Sequence, residues 1–466
     1  MIDKSVIREL QRVVGKANVL TSAEDLLCYS YDSTFAEHLP DCVVQPGTTD
    51  EVAGVMRIAH REGIAVVPRG MASGLAAASV PFSGGIALSL TRMNRILEID
   101  ESNMTATAEA GVITAHLQDA VEAKGLFYPP DPSSIRQSTL AGNVACNAGG
   151  PRCLKYGITG DYVLGLKVVL ADGRIPSTGG KAIKNVTGYN LTQLLVGSEG
   201  TLGIITEVLV KLISKPEYVR TALAIYQDLD DASRTVNAIL TAGIVPCTLE
   251  MMDDTTINTI EECMHLGLPV EAAALLILES DGEDQDMVAK EVQAMADIAR
   301  RHGASEVRVA GSEAERADLW RARRSVGPSL ARRAPNKLGE DISVPRSAIP
   351  EAVRRIKEIG RKYDLPIVVF GHAGDGNLHP NVLFDKRDAD QWSRVEKAVG
   401  EIFAAAVELG GTLSGEHGVG VLKRPYLESA LGPVSIEMQR RIKEAWDPKN
   451  ILNPGKIFPP ENMAEL

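Results

Sequence analysis

Residues 41–70 form one strand–helix–strand unit, and this narrows the folds open to the chain more than any other feature. "DCVVQPG" is a short apolar strand closed by a Pro-Gly turn. "TTDEVAGVMRIAHREG" then begins a helix, with Thr48 and Glu51 spaced as a capping box. Val52, Val55, Met56 and Ala59 follow at i, i+3, i+4 and i+7, on one helical face. Gly63 stands where a helix-ending glycine belongs. "IAVVPRG" is a second buried strand, and it runs into "PRGMASGLAAASVP", a loop of small residues. Such a β-α-β unit belongs to a chain that mixes strands with helices.

The remainder keeps that style in two blocks. "GGIALSL", "RILEID" and "MTATAEAG" carry strand patterns, and a helix fits 113–124, stopped by Gly125. Residues 127–160 hold little regular pattern. "VLGLKVVLADGRI" reads as a hairpin turning at Asp172-Gly173. From about 218 to 410, strands alternate with longer helices near 230–242 and 284–302, which points to a second α+β domain. "PIVVFGH" and "HPNVLFD" are two further strands. The last fifty or so residues, with "SGEHGVG" and "WDPKNILNPGKIF", read as loop-rich.

Length and charge limit the function. A chain of 466 residues, at about 150 per domain, implies two or three domains. A net charge of −12 without a basic run argues against nonspecific nucleic-acid or anionic-membrane binding. No apolar stretch reaches the length of a transmembrane helix, and the N-terminus is an amphipathic helix pattern without a secretory h-region. None of the six cysteines forms a C-x-x-C pair, so no iron–sulfur or zinc–thiolate framework is evident. A reduced cytoplasmic protein is the simplest expectation, with attachment to a membrane only through a partner subunit.

Three small-residue segments fall within the first 203 residues: Pro68–Ala77, Leu140–Gly150 and Gly197–Gly203. Glycines let backbone N–H groups approach a phosphate closely. None is a Walker A sequence or a G-x-G-x-x-G following a strand. Taken one at a time, each reads first as a turn.

Four polar residues form a second constellation. "GHAGDGNLHPNV" places His372 and His379 at two strand ends joined by a glycine turn, and "SGEHGVG" adds Glu416 and His417. Two imidazoles and a carboxylate suit a divalent metal such as zinc, iron or manganese. The spacing is not H-E-x-x-H, so a helical zinc-protease site is excluded. Spacing alone leaves open a solvated glycine turn that happens to carry histidines.

In their order, "VVPRGMASG", "PPDPSS…TLAGNVACNAGG", "KYGITGDYVLGLKVVLADG", "KNVTGYNLTQLLVGSEGTLGIIT", "GHAGDGNLHP", "SGEHGVG" and "ILNPGK" resemble the FAD-linked oxidases of the vanillyl-alcohol oxidase superfamily. The likeness is nearest the group holding glycolate oxidase flavoprotein subunits and D-lactate dehydrogenases, and covers residues 20–460. It implies an α+β fold: a PCMH-type two-subdomain FAD-binding domain, an α+β cap (substrate) domain, and a C-terminal segment returning to the FAD domain. The expected boundaries are an N-terminal helical segment 1–37, FAD domain 38–217, cap 218–410 and C-terminal segment 411–466.

The resemblance also assigns residues. Pro68, Arg69, Gly70, Met71, Ala72, Ser73, Gly74 and Leu75 would wrap the FAD pyrophosphate. Pro130, Asp131, Thr139, Gly142, Asn143, Asn147, Ala148 and Gly149 would line the cofactor, with Glu199, Gly203 and Ile204 near its adenine end. Met71, Ala72, Ala76 and Ala77 make the first loop less glycine-rich than is usual in the family. That loop holds no His or Cys, so the FAD is expected to be noncovalent.

By the same resemblance His372, His379 and Glu416 hold the metal and His417 is the base. The implied reaction is oxidation of a small 2-hydroxy acid, glycolate or D-lactate, to the 2-oxo acid. The metal polarises the hydroxyl, His417 removes its proton, and hydride passes from C2 to flavin N5. Arg323 matches the substrate arginine and Asn381 a polar substrate contact. The lysine of 2-hydroxyglutarate dehydrogenases is replaced by Gly339, with Lys337 nearby, so D-2-hydroxyglutarate is the second substrate candidate. A noncatalytic flavin subunit and a metal hydrolase are the readings from other classes. Electrons must leave to an external acceptor: an iron–sulfur subunit, an electron-transfer flavoprotein, a quinone or oxygen. Asp375 has no assignment; it either caps the turn or orients a histidine.

Overall fold

The two strands of the opening β-α-β unit, Cys42–Val44 and Val66–Arg69, are not neighbours. Ile86–Ser89 lies between them and runs parallel to both. Their apolar side chains are almost wholly buried, as a strand covered on both faces requires. The connecting helix, Thr49–Glu62, begins where the sequence indicates: Thr48 Oγ1 accepts from Glu51 N–H at 3.2 Å. The Glu51 carboxylate closes back one residue earlier than a standard box, on Gly47 N–H at 2.7 Å. Gly63 ends the helix at φ 66, in the left-handed region.

This computed structural model describes residues 2–458. Residue 1 and residues 459–466, the outer ends of the expected terminal segments, lie outside the described residues. The chain divides into two units. The first comprises the residues up to Gly149, Ile158–Lys215 and those from Glu416 onward; the second is Gly150–Gly157 with Pro216–Gly415.

The first unit holds two sheets that position its site. One is the four-stranded sheet just described, completed by Val19–Leu20 at its edge. The other has five antiparallel strands in the order Ile96–Asp100, Thr105–Glu109, Ile204–Lys211, Val163–Val169, Ser177–Gly179. The last pair forms the hairpin expected at Asp172-Gly173. Residues 127–160, read as irregular, contain the short helices Leu140–Cys146 and Cys153–Tyr156. The loop-rich tail is interrupted by the helix Pro433–Trp446. None of its side chains is fully buried, so it carries no broad apolar face and its periodicity is weak.

The second unit is built on an eight-stranded sheet whose pairs are all antiparallel. At its centre Ala274–Gly282, Thr248–Asp253, Ile367–His372 and Asn377–Phe384 lie side by side. Leu223, Ile225, Met252, Leu275, Ile277, Val368 and Leu383 form one apolar cluster with Ile257 and Ile260 of helix Asp254–Met264 and with Ala322, Val326 and Leu330 of helix Glu313–Arg333. Side chains alternate across a strand. Glu250 therefore shares a face with Met252, His372 with Val368 and Phe370, and His379 and Asn381 with Leu383. Among the described residues no helix is long and apolar enough to cross a membrane.

Candidate functional site

In the first unit the strand Val66–Arg69 delivers the chain into a pocket. Pro68 through Leu75 line it along one side. Thr139, Gly142, Asn143, Ala148, Glu199, Gly203 and Ile204 line the rest, together with Glu416 and His417. Pro130, Asp131, Asn147 and Gly149 are not among its lining residues. Asn147 instead acts locally. It ends helix Leu140–Cys146 at φ 53, and its Oδ1 accepts from Gly160 N–H at 2.8 Å. The pocket also takes in Pro132, Ser133, Ser134, Ser138, Cys146 and Asn453, which sequence reasoning did not single out. All but Ser138 fall inside the quoted motifs, and that was their signal.

The donor set of this pocket fits a polar, phosphate-bearing ligand. Among the described residues, the backbone N–H groups of Met71, Ala72, Ser73, Gly74 and Leu75 have no acceptor. A run of free N–H groups on a small-residue loop is an anion cradle. Ala72 adopts φ 54, the conformation a glycine favours, so the less glycine-rich loop still turns in the left-handed region. Ser138 Oγ and Asn453 Oδ1 are buried and without a partner among the described residues. Buried polar atoms of this kind want a polar ligand or water.

Charge in the pocket is muted by burial. Arg69 gives its guanidinium to Tyr29 O at 2.8 Å and Tyr31 O at 3.2 Å, and burial pulls its pKa down. Glu199 is raised by burial, although it accepts from Val419 N–H at 2.7 Å and Gly420 N–H at 2.8 Å. Burial pushes the Lys456 ammonium down to about 7 and the Cys146 thiol up to about 12. The cradle is neutral backbone rather than a basic patch.

Gly70 is one position where close approach decides the residue. A Cβ there would collide with Thr139 Oγ1. Gly70→Ala is expected to destabilise the loop by about 1–3 kcal/mol, the usual cost of overpacking. Flavin retained on purification should fall with it. Gly70→Ala that retained flavin at the parent level would refute the steric account.

In the second unit the two histidines are brought together. The turn between their strands is closed by Gly376 N–H on His372 O at 3.1 Å, with Gly376 at φ 83. The second strand starts at Asn377, two residues before the expected His379. Asp375 Oδ1 accepts from Asn377 N–H at 3.3 Å, a turn-capping contact. His372 and His379 are buried, 5% and 7% exposed, and their Nε2 atoms face each other at 3.3 Å. Each has a carboxylate behind it. Glu250 Oε1 meets His372 Nδ1, and Asp341 Oδ1 lies 3.8 Å from His379 Nδ1. Asp341 is itself held by Asn377 Nδ2 at 2.6 Å and Ser414 Oγ at 2.8 Å.

This arrangement fits a metal. A cation between the two Nε2 atoms is ligated by both rings when each carries its proton on Nδ1, the tautomer that the Glu250 carboxylate favours for His372. Arg323, on helix Glu313–Arg333, sets its Nε 2.6 Å from Glu250 Oε2 and its guanidinium over Phe370, 4.8 Å from the ring centroid. Asn381 Nδ2 donates to His379 O at 2.9 Å. Burial would raise the Glu250 carboxyl; His372 and Arg323 outweigh it and hold it at about 2. Glu250 and Asp341 were missed. The signal for Glu250 was an acid set between Leu249 and Met251 in the largely apolar strand "TLEMMD".

Comparison with known proteins places these features in a family. Residues 215–457 match the model of "FAD linked oxidases, C-terminal domain", and residues 40–179 that of "FAD binding domain". The glycolate oxidase subunit GlcD of Bacillus subtilis strain 168 is 49% identical over 459 residues, covering 98% of this chain and 97% of that one. A D-lactate dehydrogenase of Anaerostipes hadrus is 36% identical, covering 98% of each chain. Among solved structures, p-cresol methylhydroxylase with substrate bound superposes with a TM-score of 0.81 at 18% identity, over 98% of this chain and 96% of that chain. At that identity the likeness concerns the fold.

Proposed function

The chain belongs to the FAD-linked oxidases, and from that premise we propose that it oxidises a small 2-hydroxy acid, glycolate or D-lactate, to the corresponding 2-oxo acid. The observation that carries the hydroxy-acid reading is the pair of imidazoles facing each other at 3.3 Å with carboxylates behind them. Two imidazole nitrogens that both bind one divalent ion at about 2.0–2.1 Å in a tetrahedral site stand about this far apart. The names of the relatives, a glycolate oxidase subunit and a D-lactate dehydrogenase, support the same substrate class.

In this reading the loop Pro68–Leu75, with Thr139, Gly142, Asn143, Ala148, Glu199, Gly203 and Ile204, holds FAD without a covalent bond. Cys146 stays a protonated thiol, its pKa pushed up to about 12 by burial, and is therefore a poor nucleophile toward the flavin. FAD supplies the hydride acceptor for C2 of the substrate. His372 and His379 would hold a divalent metal, which would supply the Lewis acid; Glu416 is the third ligand that the family resemblance implies.

The chain's own side chains do the remaining work. His417 takes the hydroxyl proton on a ring nitrogen. Arg323 keeps its Nη atoms for the substrate carboxylate, since its Nε is engaged by Glu250. Asn381 supports His379 through its backbone carbonyl and offers a polar edge to the substrate. The electrons leave to an external acceptor. The relative's name marks that protein as a subunit, and a partner subunit is the corresponding acceptor for this chain.

The test is optical. Purified protein should be yellow, and acid precipitation should leave the flavin in the supernatant. Under anaerobic conditions glycolate or D-lactate should bleach it, whereas L-lactate should not. A colourless protein that cannot be reconstituted with FAD would overturn the assignment. Bleaching only by D-2-hydroxyglutarate would move the substrate to the dicarboxylic acids.

A further inference from the structure

We propose that Glu250 is a positioning residue that fixes the tautomer of His372 and aims Arg323, so that metal affinity and recognition of the substrate carboxylate both depend on this one carboxylate. The inference rests on the reading of His372 as a metal ligand and Arg323 as the substrate arginine.

The strand register brings the pair together. Glu250 and His372 are direct Cα partners on adjacent antiparallel strands, so their side chains rise side by side from one face. Glu250 has no exposed side-chain surface and is enclosed by that sheet and helix Glu313–Arg333. An ionised carboxylate only accepts hydrogen bonds, and Glu250 meets two donors. Oε2 takes Arg323 Nε–H at 2.6 Å, and Oε1 takes the Nδ1–H of His372.

Two consequences follow from this geometry. With its proton on Nδ1, His372 must carry its lone pair on Nε2, the atom that faces His379 Nε2 at 3.3 Å. Meanwhile Arg323 is gripped at Nε, with its guanidinium carbon 4.8 Å from the Phe370 ring centroid, and among the described residues its two Nη nitrogens make no hydrogen bond. Ala322 and Val326, buried beside it on the same helix, stop the helix from turning it elsewhere. Removing the carboxylate releases the imidazole and the guanidinium together.

Glutamine is the sharp probe because it keeps the shape and changes one acceptor into a donor. In Glu250→Gln the amide oxygen can serve Arg323 Nε–H, but the NH2 then confronts His372 Nδ1. His372 answers by moving its proton to Nε2 and accepting at Nδ1, which removes the ligating lone pair.

The experiment uses full-length, flavin-loaded protein and Zn2+ alone as the probe, titrated against a chelator. Glu250→Gln should bind Zn2+ about 10- to 100-fold more weakly than the parent. Its KM for the 2-hydroxy acid should rise as well, with flavin content and circular dichroism unchanged. Glu250→Asp, which keeps two acceptors at shorter reach, should recover part of both. Unchanged zinc affinity in Glu250→Gln would overturn the inference. A second measurement separates it from the metal reading. In metal-free protein labelled with 15N-histidine, His372 should carry its proton on Nδ1 in the parent and on Nε2 in Glu250→Gln. A proton on Nε2 in the parent, or the same tautomer in both, overturns the role of Glu250 whether or not the chain needs a metal. If Glu250→Gln fails to fold, the parent spectrum alone decides. Metal-independent turnover with the expected tautomers removes the metal reading and leaves Glu250 as the orienting partner of His372.

Discussion

Replacing His379 by alanine is expected to cut turnover by about a thousandfold or more, because it removes one of two facing imidazoles and with it the proposed metal site. Lewis-acid stabilisation of the developing alkoxide is worth several kcal/mol, and each 1.36 kcal/mol is tenfold in rate. Flavin content should stay at the parent level, since the pocket proposed for it is lined by residues of the other unit. Treatment of the parent with a chelator should reproduce the effect, and added Zn2+, Mn2+ or Fe2+ should reverse it in the parent but not in the variant. A metal-free parent that turns over at the full rate would rule out the Lewis-acid mechanism. The variant also leaves Asp341 without its imidazole, so thermal unfolding should be followed alongside activity to separate lost chemistry from lost fold.

The second large effect belongs to His417. His417→Asn keeps a polar side chain of similar reach and removes the proposed base. The rate of anaerobic flavin bleaching in a single turnover should fall by about 10^2- to 10^4-fold, the usual contribution of a positioned base. Substrate affinity and zinc affinity should change little, because neither depends on proton removal. This pattern differs from that of Glu250→Gln, in which affinity moves first. An undiminished bleaching rate would show that another group takes the hydroxyl proton.

Much of the local architecture could be read directly. The Thr48 cap, the four apolar positions of its helix and the Gly63 stop are interactions within a few residues, and such interactions leave a period in the chain. The two histidines were visible for the same reason, since a glycine turn between strands joins them. The helix Pro433–Trp446 escaped because it buries no residue fully and so needs no apolar stripe. The strand Ile86–Ser89 escaped notice as the filling of the β-α-β unit, because strand order within a sheet has no local signature.

What the sequence determined by itself is the family, the α+β class, the small-residue cradle and the histidine pair, all carried by contiguous motifs. What only the tertiary structure decided is which groups stand behind them. Glu250 reaches His372 across 122 residues, and Asn453 enters the pocket beside Glu199 across 254. Those meetings are set by the register of strands distant along the chain and by packing against them. Neither leaves a period in the sequence, because the side chains on one face of a sheet are neighbours in space only.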